Sequence, residues 1–285
     1  MIPYGRQDIS EADIQAVVEV LRSDYLTQGP VVPRFEHQIR EYTGSKFACA
    51  VNSATSALHI ACLALGLAPG DILWTSPVTF VASANCARYC GANVDFVDVD
   101  PSTANICVNK LEEKRIQAKR LGSLPKIVVA VHLSGQSCDM RAIARLSDIY
   151  GFHIIEDASH AIGGRYEDAP VGACTYSDIT VFSFHPVKVI TSGEGGMATT
   201  NNRALYEDML LYRSHGITRD ESLMQATPDG EWYYEQLKLG FNYRLTDLQA
   251  ALGLSQMRRL DYFVSERNRI AARYDEELSS LPVHP

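Results

Sequence analysis

Residues 47–65 read FACAVNSATSALHIACLAL. Phe47 to Val51 is an apolar run of strand length, apolar at every position, as in a strand covered on both faces. Asn52 and Ser53 interrupt it, and Thr55 to Leu65 reads as an apolar helix. A buried strand passing directly into a helix is the unit from which parallel sheets with covered faces are built. The unit recurs downstream. Strands are expected at Ile72–Ser76, Val94–Val99, Lys126–His132 and His153–Glu156. The helices between them are expected at Phe80–Cys90, Asn109–Leu121 and Asp139–Tyr150.

After Gly164 the rhythm changes. Ile179–Phe184 and Gly196–Thr200 read as strands joined by a short loop and paired antiparallel in the same sheet. From Ala204 the chain reads as helical, with Thr246–Leu260 capped by Thr246 and a longer charged helix over Asp261–Leu281. Upstream of residue 47, Asp8–Arg22 has the apolar spacing of an amphipathic helix, with Ser10 as N-cap and Asp13 three residues on. A loop at Thr27–Pro30 follows, then a second helix over Phe35–Tyr42. The expected fold is α/β, with a mostly parallel central sheet flanked by helices.

Composition narrows the function. The chain has 285 residues and a net charge of −8, so phosphate backbones are not attracted at long range and nucleic acid is not an expected partner. No apolar stretch approaches a membrane span, and Met1–Asp13 is polar with no signal-like core, so a cytoplasmic location is expected. The seven cysteines are scattered and form no C-x-x-C pair, which points to buried thiols rather than disulfides or zinc; no metal site is expected.

Ligands of parallel α/β sheets bind where strands end and helix N-termini point. After residue 51 come Asn52, Ser53, Ala54, Thr55 and Ser56, a small and hydroxyl-rich helix start that suits an anion, although on local grounds N-capping by Ser53 or Thr55 alone is the better explanation. Asp157 follows the next informative strand, His153–Glu156, and could hold a protonated ring nitrogen, or merely cap a helix. Lys188 follows the strand ending at Phe184 and precedes the glycine-rich run TSGEGG at 191–196. A half-desolvated lysine there would lose its proton readily and act as a nucleophile; a surface lysine beside a tight hairpin is the plain alternative. One excursion out of the sheet and back separates Asp157 from Lys188, so both can face one pocket.

The motifs NSATSAL (52–58), EDASHA (156–161), FSFHPVK (182–188), GEGG (193–196), RSHG (213–216) and GFNYRLTDLQAAL (240–252) occur in the order, and over the span, of a known family. The chain resembles the DegT/DnrJ/EryC1/StrS sugar aminotransferases, whose cofactor is pyridoxal 5'-phosphate (PLP). That resemblance implies the large domain of the PLP-dependent transferase fold type I over residues 1–260, including the N-terminal helices. Residues 261–285 would begin the helical link to a small C-terminal domain, which the sequence ends before and which is expected to be absent. Within the family, LTQG (26–29), the run ending at Lys188 and LGLSQ (252–256) look most like the branch serving pseudaminic acid biosynthesis.

The resemblance also implies roles. Lys188 would be the Schiff-base lysine and proton carrier, and Asp157 the partner of the pyridine nitrogen. Phe80 would stack on the ring, and His160 would lie near its phenolic oxygen. Ala54 and Thr55 would cradle the phosphate, with Ser183 adding a hydroxyl. Asn242 would reach the cofactor of a neighbouring subunit, implying a homodimer with shared active sites. His185 and Arg213 are candidate substrate contacts. Each has a plainer alternative: core packing for Phe80, a satisfied buried histidine for His160, a turn residue for Asn242, surface or loop roles for His185 and Arg213. The implied reaction moves an amino group from glutamate to the 4-keto group of a nucleotide-linked deoxysugar. An aminotransferase for a GDP- or dTDP-linked sugar, and a non-catalytic PLP-binding protein, are the alternatives.

Overall fold

The computed structural model describes residues 5–282, so 283–285 of the expected link lie outside the described residues. Helix α1 (Glu11–Leu21) opens with a capping box in which Ser10 and Asp13 each accept from the other's backbone N–H. Helix α2 (Val31–Thr43) starts four residues before the apolar spacing suggests. The cause is distant in sequence: the carboxylate of Asp247 accepts from the N–H groups of Val31 and Val32 at 3.4 and 3.3 Å, satisfying donors that a helix start leaves free.

The repeating part follows as β1 (Phe47–Val51), α3 (Ala54–Ala64), β2 (Ile72–Thr75), α4 (Ala82–Tyr89), β3 (Asn93–Phe96), α5 (Val108–Leu121), β4 (Ile127–Val131), α6 (Met140–Tyr150) and β5 (His153–Asp157). A small hairpin, β6 (Arg165–Tyr166) and β7 (Ala169–Pro170), leads to β8 (Ile179–Ser183) and β9 (Gly196–Thr200). The rest comprises α7 (Arg203–Arg213), the two-residue strands β10 (Ile217–Thr218) and β11 (Glu235–Gln236), α8 (Asp247–Met257) and α9 (Leu260–Leu278).

Three expectations need correction. The helix expected from Phe80 begins at Ala82, leaving Phe80 in the preceding loop with 71% of its surface exposed. The strand expected over Val94–Val99 ends at Phe96, and Val99 keeps only an isolated bridge to Ile106. The helical reading after Ala204 holds as far as Arg213; the chain then turns at His215 and Gly216, both with positive φ, and is non-helical apart from a short 3-10 turn until α8. A side chain at Gly216 would strike the backbone of Lys238, so a tight chain crossing, not a helix, occupies this segment.

The main sheet has the order β1-β9-β8-β5-β4-β2-β3. All its pairings are parallel except those of β9, which runs against both β1 and β8, as expected for β8 and β9. Residues alternate between two covered faces. Ile127, Val129 and Val131 of β4, Ile155 of β5 and Ile179 and Val181 of β8 pack under α3, α4 and α7. On the other face, Val128 and Ala130 pack with α5 and α6, while Ala48, Ala50 and Phe182 pack with α2 and α8. The product is a three-layer α/β/α arrangement. All seven cysteines are free, and all but Cys107 are buried. No helix among the described residues is long and apolar enough to cross a membrane.

Candidate active site

The parallel strands deliver β1, β2, β4, β5 and β8 to one sheet edge by their carboxyl ends, and reversed β9 reaches that edge by its first residue, Gly196. Asp157 ends β5, and β8 is its parallel neighbour, with Asp157 opposite Val181. By strand alternation Asp157 and Ser183 project to the face that carries α3 and α4.

Asp157 is buried and well supplied with donors. Its Oδ1 accepts from the Ser159 hydroxyl at 2.6 Å and the Ser159 N–H at 3.2 Å; its Oδ2 accepts from the Ser83 hydroxyl at 2.6 Å. Behind it, Glu156 points to the opposite face and accepts from His132 Nε2 at 2.7 Å and Thr180 Oγ1 at 2.9 Å. Nδ1 of His132 accepts from the Cys138 N–H at 3.2 Å, which assigns the neutral Nε2–H tautomer to that ring. The end of β5 is therefore braced on both faces.

Lys188 is half-buried, and its ammonium forms no hydrogen bond or ion pair among the described residues. Burial lowers its pKa below the ordinary lysine value, and the Asp157 carboxylate opposes that shift. His160 is affected by both. Burial lowers its pKa first, the charge of Lys188 lowers it further, and Asp157 pulls the other way. Its Nδ1 accepts from the Ser134 N–H at 3.2 Å, so the neutral ring carries its proton on Nε2. The charge of Asp157 bears on both Lys188 and His160, and that of Lys188 on His160, so the three lie near one another.

The expected phosphate cradle is the start of α3. Ser53 caps the helix by accepting from Ser56 N–H at 3.1 Å, which leaves the N–H groups of Ala54 and Thr55 without partners in the helix. Ser53, not Thr55, is thus the N-cap, and Thr55 keeps its hydroxyl for other work. Gly196 passes so close that a Cβ there would lie 2.5 Å from the Ala54 nitrogen. Ser183 is a buried residue, and its hydroxyl has no hydrogen-bond partner among the described residues.

The remaining expected residues divide. Phe80 stands exposed on the loop before α4. Asn242 is exposed, and its carbonyl faces Asn52 Nδ2 at 3.5 Å, beside its own chain's helix start. His185 is exposed and its carbonyl accepts the Lys188 N–H at 2.9 Å. Arg213 is not brought to the pocket: its Nη1 donates to Glu36 at 2.7 Å and to the Ala50 carbonyl at 3.0 Å, a mostly buried pair that joins α7 to α2 and β1. A cleft of about 750 Å³ reaches this region at Lys188 and its loop neighbours Pro186, Val189 and Thr191, and is walled mainly by α9 and by Arg6, Gln7 and Asp8.

Sequence reasoning missed Ser83 and Thr79. The available signal was a hydroxyl pair at i, i+4 in a stretch otherwise read as an apolar helix. It also passed over the tight approach of Gly196, seen only as part of a glycine-rich run.

These residues fit PLP on structural grounds. Free helix N–H groups, two hydroxyls and the space kept open by Gly196 suit a phosphate dianion. A buried carboxylate suits a protonated ring nitrogen, and a lysine of lowered pKa suits covalent attachment.

Comparison with known proteins agrees. The pattern of the DegT/DnrJ/EryC1/StrS aminotransferase family matches residues 7–285. A Campylobacter jejuni protein named UDP-4-amino-4,6-dideoxy-N-acetyl-beta-L-altrosamine transaminase is 39% identical over 279 residues, covering 97% of this chain and 69% of that protein. The solved structure of Helicobacter pylori PseC, described as an aminotransferase involved in the biosynthesis of pseudoaminic acid, superposes with a TM-score of 0.88 at 33% identity, over 98% of this chain and 71% of that one. The PLP-form of Spr1654 from Streptococcus pneumoniae, described as a putative sugar aminotransferase, superposes with a TM-score of 0.86 at 28% identity, over 100% of this chain and 73% of that one.

Proposed function

The chain belongs to the DegT/DnrJ/EryC1/StrS aminotransferase family, and from that premise we propose that it carries PLP on Lys188 and transfers an amino group from glutamate to a nucleotide-linked keto-sugar. The observation that carries the reading is the placement of Asp157 at the end of β5, beside β8, with Ser183 and Gly196 next to the free N-terminus of α3, and with the Asp157 charge bearing on Lys188 and His160.

Bound PLP supplies a ring that accepts the electron pair left when a carbon next to nitrogen loses its proton. The chain does the rest. The α3 N–H groups of Ala54 and Thr55, with the hydroxyls of Thr55 and Ser183, hold the phosphate dianion. Asp157 keeps the ring nitrogen protonated. The Lys188 amine, eased toward its neutral form by burial, takes a proton from carbon and returns one. His160 offers an Nε2–H toward the ring's phenolic oxygen, and the exposed face of Phe80 covers the ring. Asn242 serves the cofactor of the second subunit in a homodimer.

The substrate in this reading is UDP-2-acetamido-2,6-dideoxy-4-hexulose, aminated at C4 in pseudaminic acid biosynthesis; the Campylobacter relative and the Helicobacter neighbour support it. The test has two stages. PLP is added, the protein is reduced with borohydride, and peptides are mapped; a pyridoxyl group is expected on Lys188 and is not expected after Lys188→Ala. UDP-, GDP- and dTDP-linked 4-keto sugars are then assayed with glutamate. Turnover of the UDP sugar supports the assignment, turnover of another one redirects it, and an unlabelled Lys188 overturns the cofactor site.

A further inference from the structure

We propose that Ser83, backed by Thr79, is a positioning residue that leaves Asp157 a single acceptor site, on Oδ2, for the ring nitrogen of PLP. The inference rests on the reading that Asp157 faces that nitrogen, and it concerns residues to which no role has yet been attached.

An ionised carboxylate has about four lone-pair positions and no proton to give. In Asp157, Oδ1 accepts twice from Ser159, through the hydroxyl and the N–H, and its capacity is filled. Oδ2 accepts once, from Ser83 at 2.6 Å. One position remains, and it is on Oδ2. Because a carboxylate only accepts, Ser83 must donate to it. The Thr79–Ser83 contact of 2.7 Å is then oriented as well, with Thr79 donating to Ser83.

Ser83 is fully buried in the first turn of α4, where its hydroxyl is held among packed groups rather than free to rotate into solvent. Its N–H donates to the Phe80 carbonyl at 3.2 Å. The chain of donors therefore starts in the loop that carries the exposed Phe80 ring and ends on the carboxylate. Without the Ser83 hydroxyl, Oδ2 would have two open positions and lose the donor that pins it, so the ring nitrogen would meet a less defined acceptor.

The test compares two ligands for the apo-protein by equilibrium dialysis: PLP, and an analogue with the ring nitrogen replaced by C–H. The unaltered chain is expected to prefer PLP. Ser83→Ala is expected to cut that preference by about tenfold while leaving analogue affinity unchanged, the size expected for a lost hydrogen bond to a charged group. Thr79→Val, at a half-buried position, is expected to cut it by about twofold, and Thr79→Ser to restore it. Equal loss of both ligands, or no loss, in Ser83→Ala means that Ser83 only packs α4, and overturns the proposal. If Ser83→Ala does not fold, the Thr79 pair decides by the same criterion. An unaltered chain that binds both ligands equally overturns the reading of Asp157 itself, a distinct pattern that removes this proposal with it.

Discussion

Burial and Asp157 act on Lys188 in opposite directions, and burial prevails. That balance has a consequence for stability. The folded pKa lies below the unfolded value near 10.5, so the unfolded chain binds more protons between the two, and stability rises with pH across that window. Lys188→Met removes the charge and the cost of desolvating it. The apo-protein is expected to gain stability at pH 8, by no more than about 1 kcal/mol given the half-exposed side chain. The gain should vanish as pH passes the ordinary lysine value. Thermal melts of the apo-protein and variant from pH 7 to 11 would check this; a gain that persists at the highest pH contradicts the desolvation account. Arg213 shows the opposite outcome for a residue chosen by motif. Its guanidinium is committed to Glu36 and Ala50, and nothing in the local run at 213–216 reveals a partner that lies in α2.

Among the elements, the junction of β9 with α3 is the most exacting. The first residue of β9 lies against the helix start proposed as the anion site, and only a missing side chain permits that approach. Gly196→Ala is expected to cost about 1–3 kcal/mol in denaturant unfolding, as other insertions into packed sites do. It should weaken PLP binding more than it weakens the fold, because the Ala54 N–H is displaced first. Unchanged affinity in a destabilised variant would separate the junction from the anion site. Strand and helix identity was readable wherever burial on both faces enforced a continuous apolar run, as in β4 and β8. It failed at Phe80, where an apolar residue is exposed on a loop, and at 214–246, where crossing chain segments replace local hydrogen bonding.

At the scale of the whole molecule, Asn242 is exposed and lies beside its own helix start, and its proposed role at the cofactor of a second subunit has a direct test. In a homodimer, a chain bearing Lys188→Ala and a chain bearing Asn242→Ala would complement one another, because the mixed dimer holds one site with both residues intact. Co-expression is expected to give about a quarter of the unaltered number of borohydride-trapped sites, if the Asn242 change abolishes binding. No trapping would mean that each site draws both residues from one subunit, and trapping in proportion to the Lys188-bearing chains would mean that Asn242 is not needed for binding. Light scattering should accordingly place the protein at twice the monomer mass.

The sequence by itself determined the order of the main-sheet strands and the long helices, the caps at Ser10 and Thr246, and the residue types at each strand end. Those features follow from local periodicity, from side chains reaching their own backbone, and from the need to cover both faces of a sheet. Only the tertiary structure decided which ends meet. Sheet order sets β5 beside β8, so the chain leaving β8 toward Lys188 starts next to Asp157; packing of α4 carries Ser83 onto Asp157; and α8 brings Asp247 to start α2. Contacts between residues far apart in the chain depend on how elements are stacked, which no local window of sequence encodes.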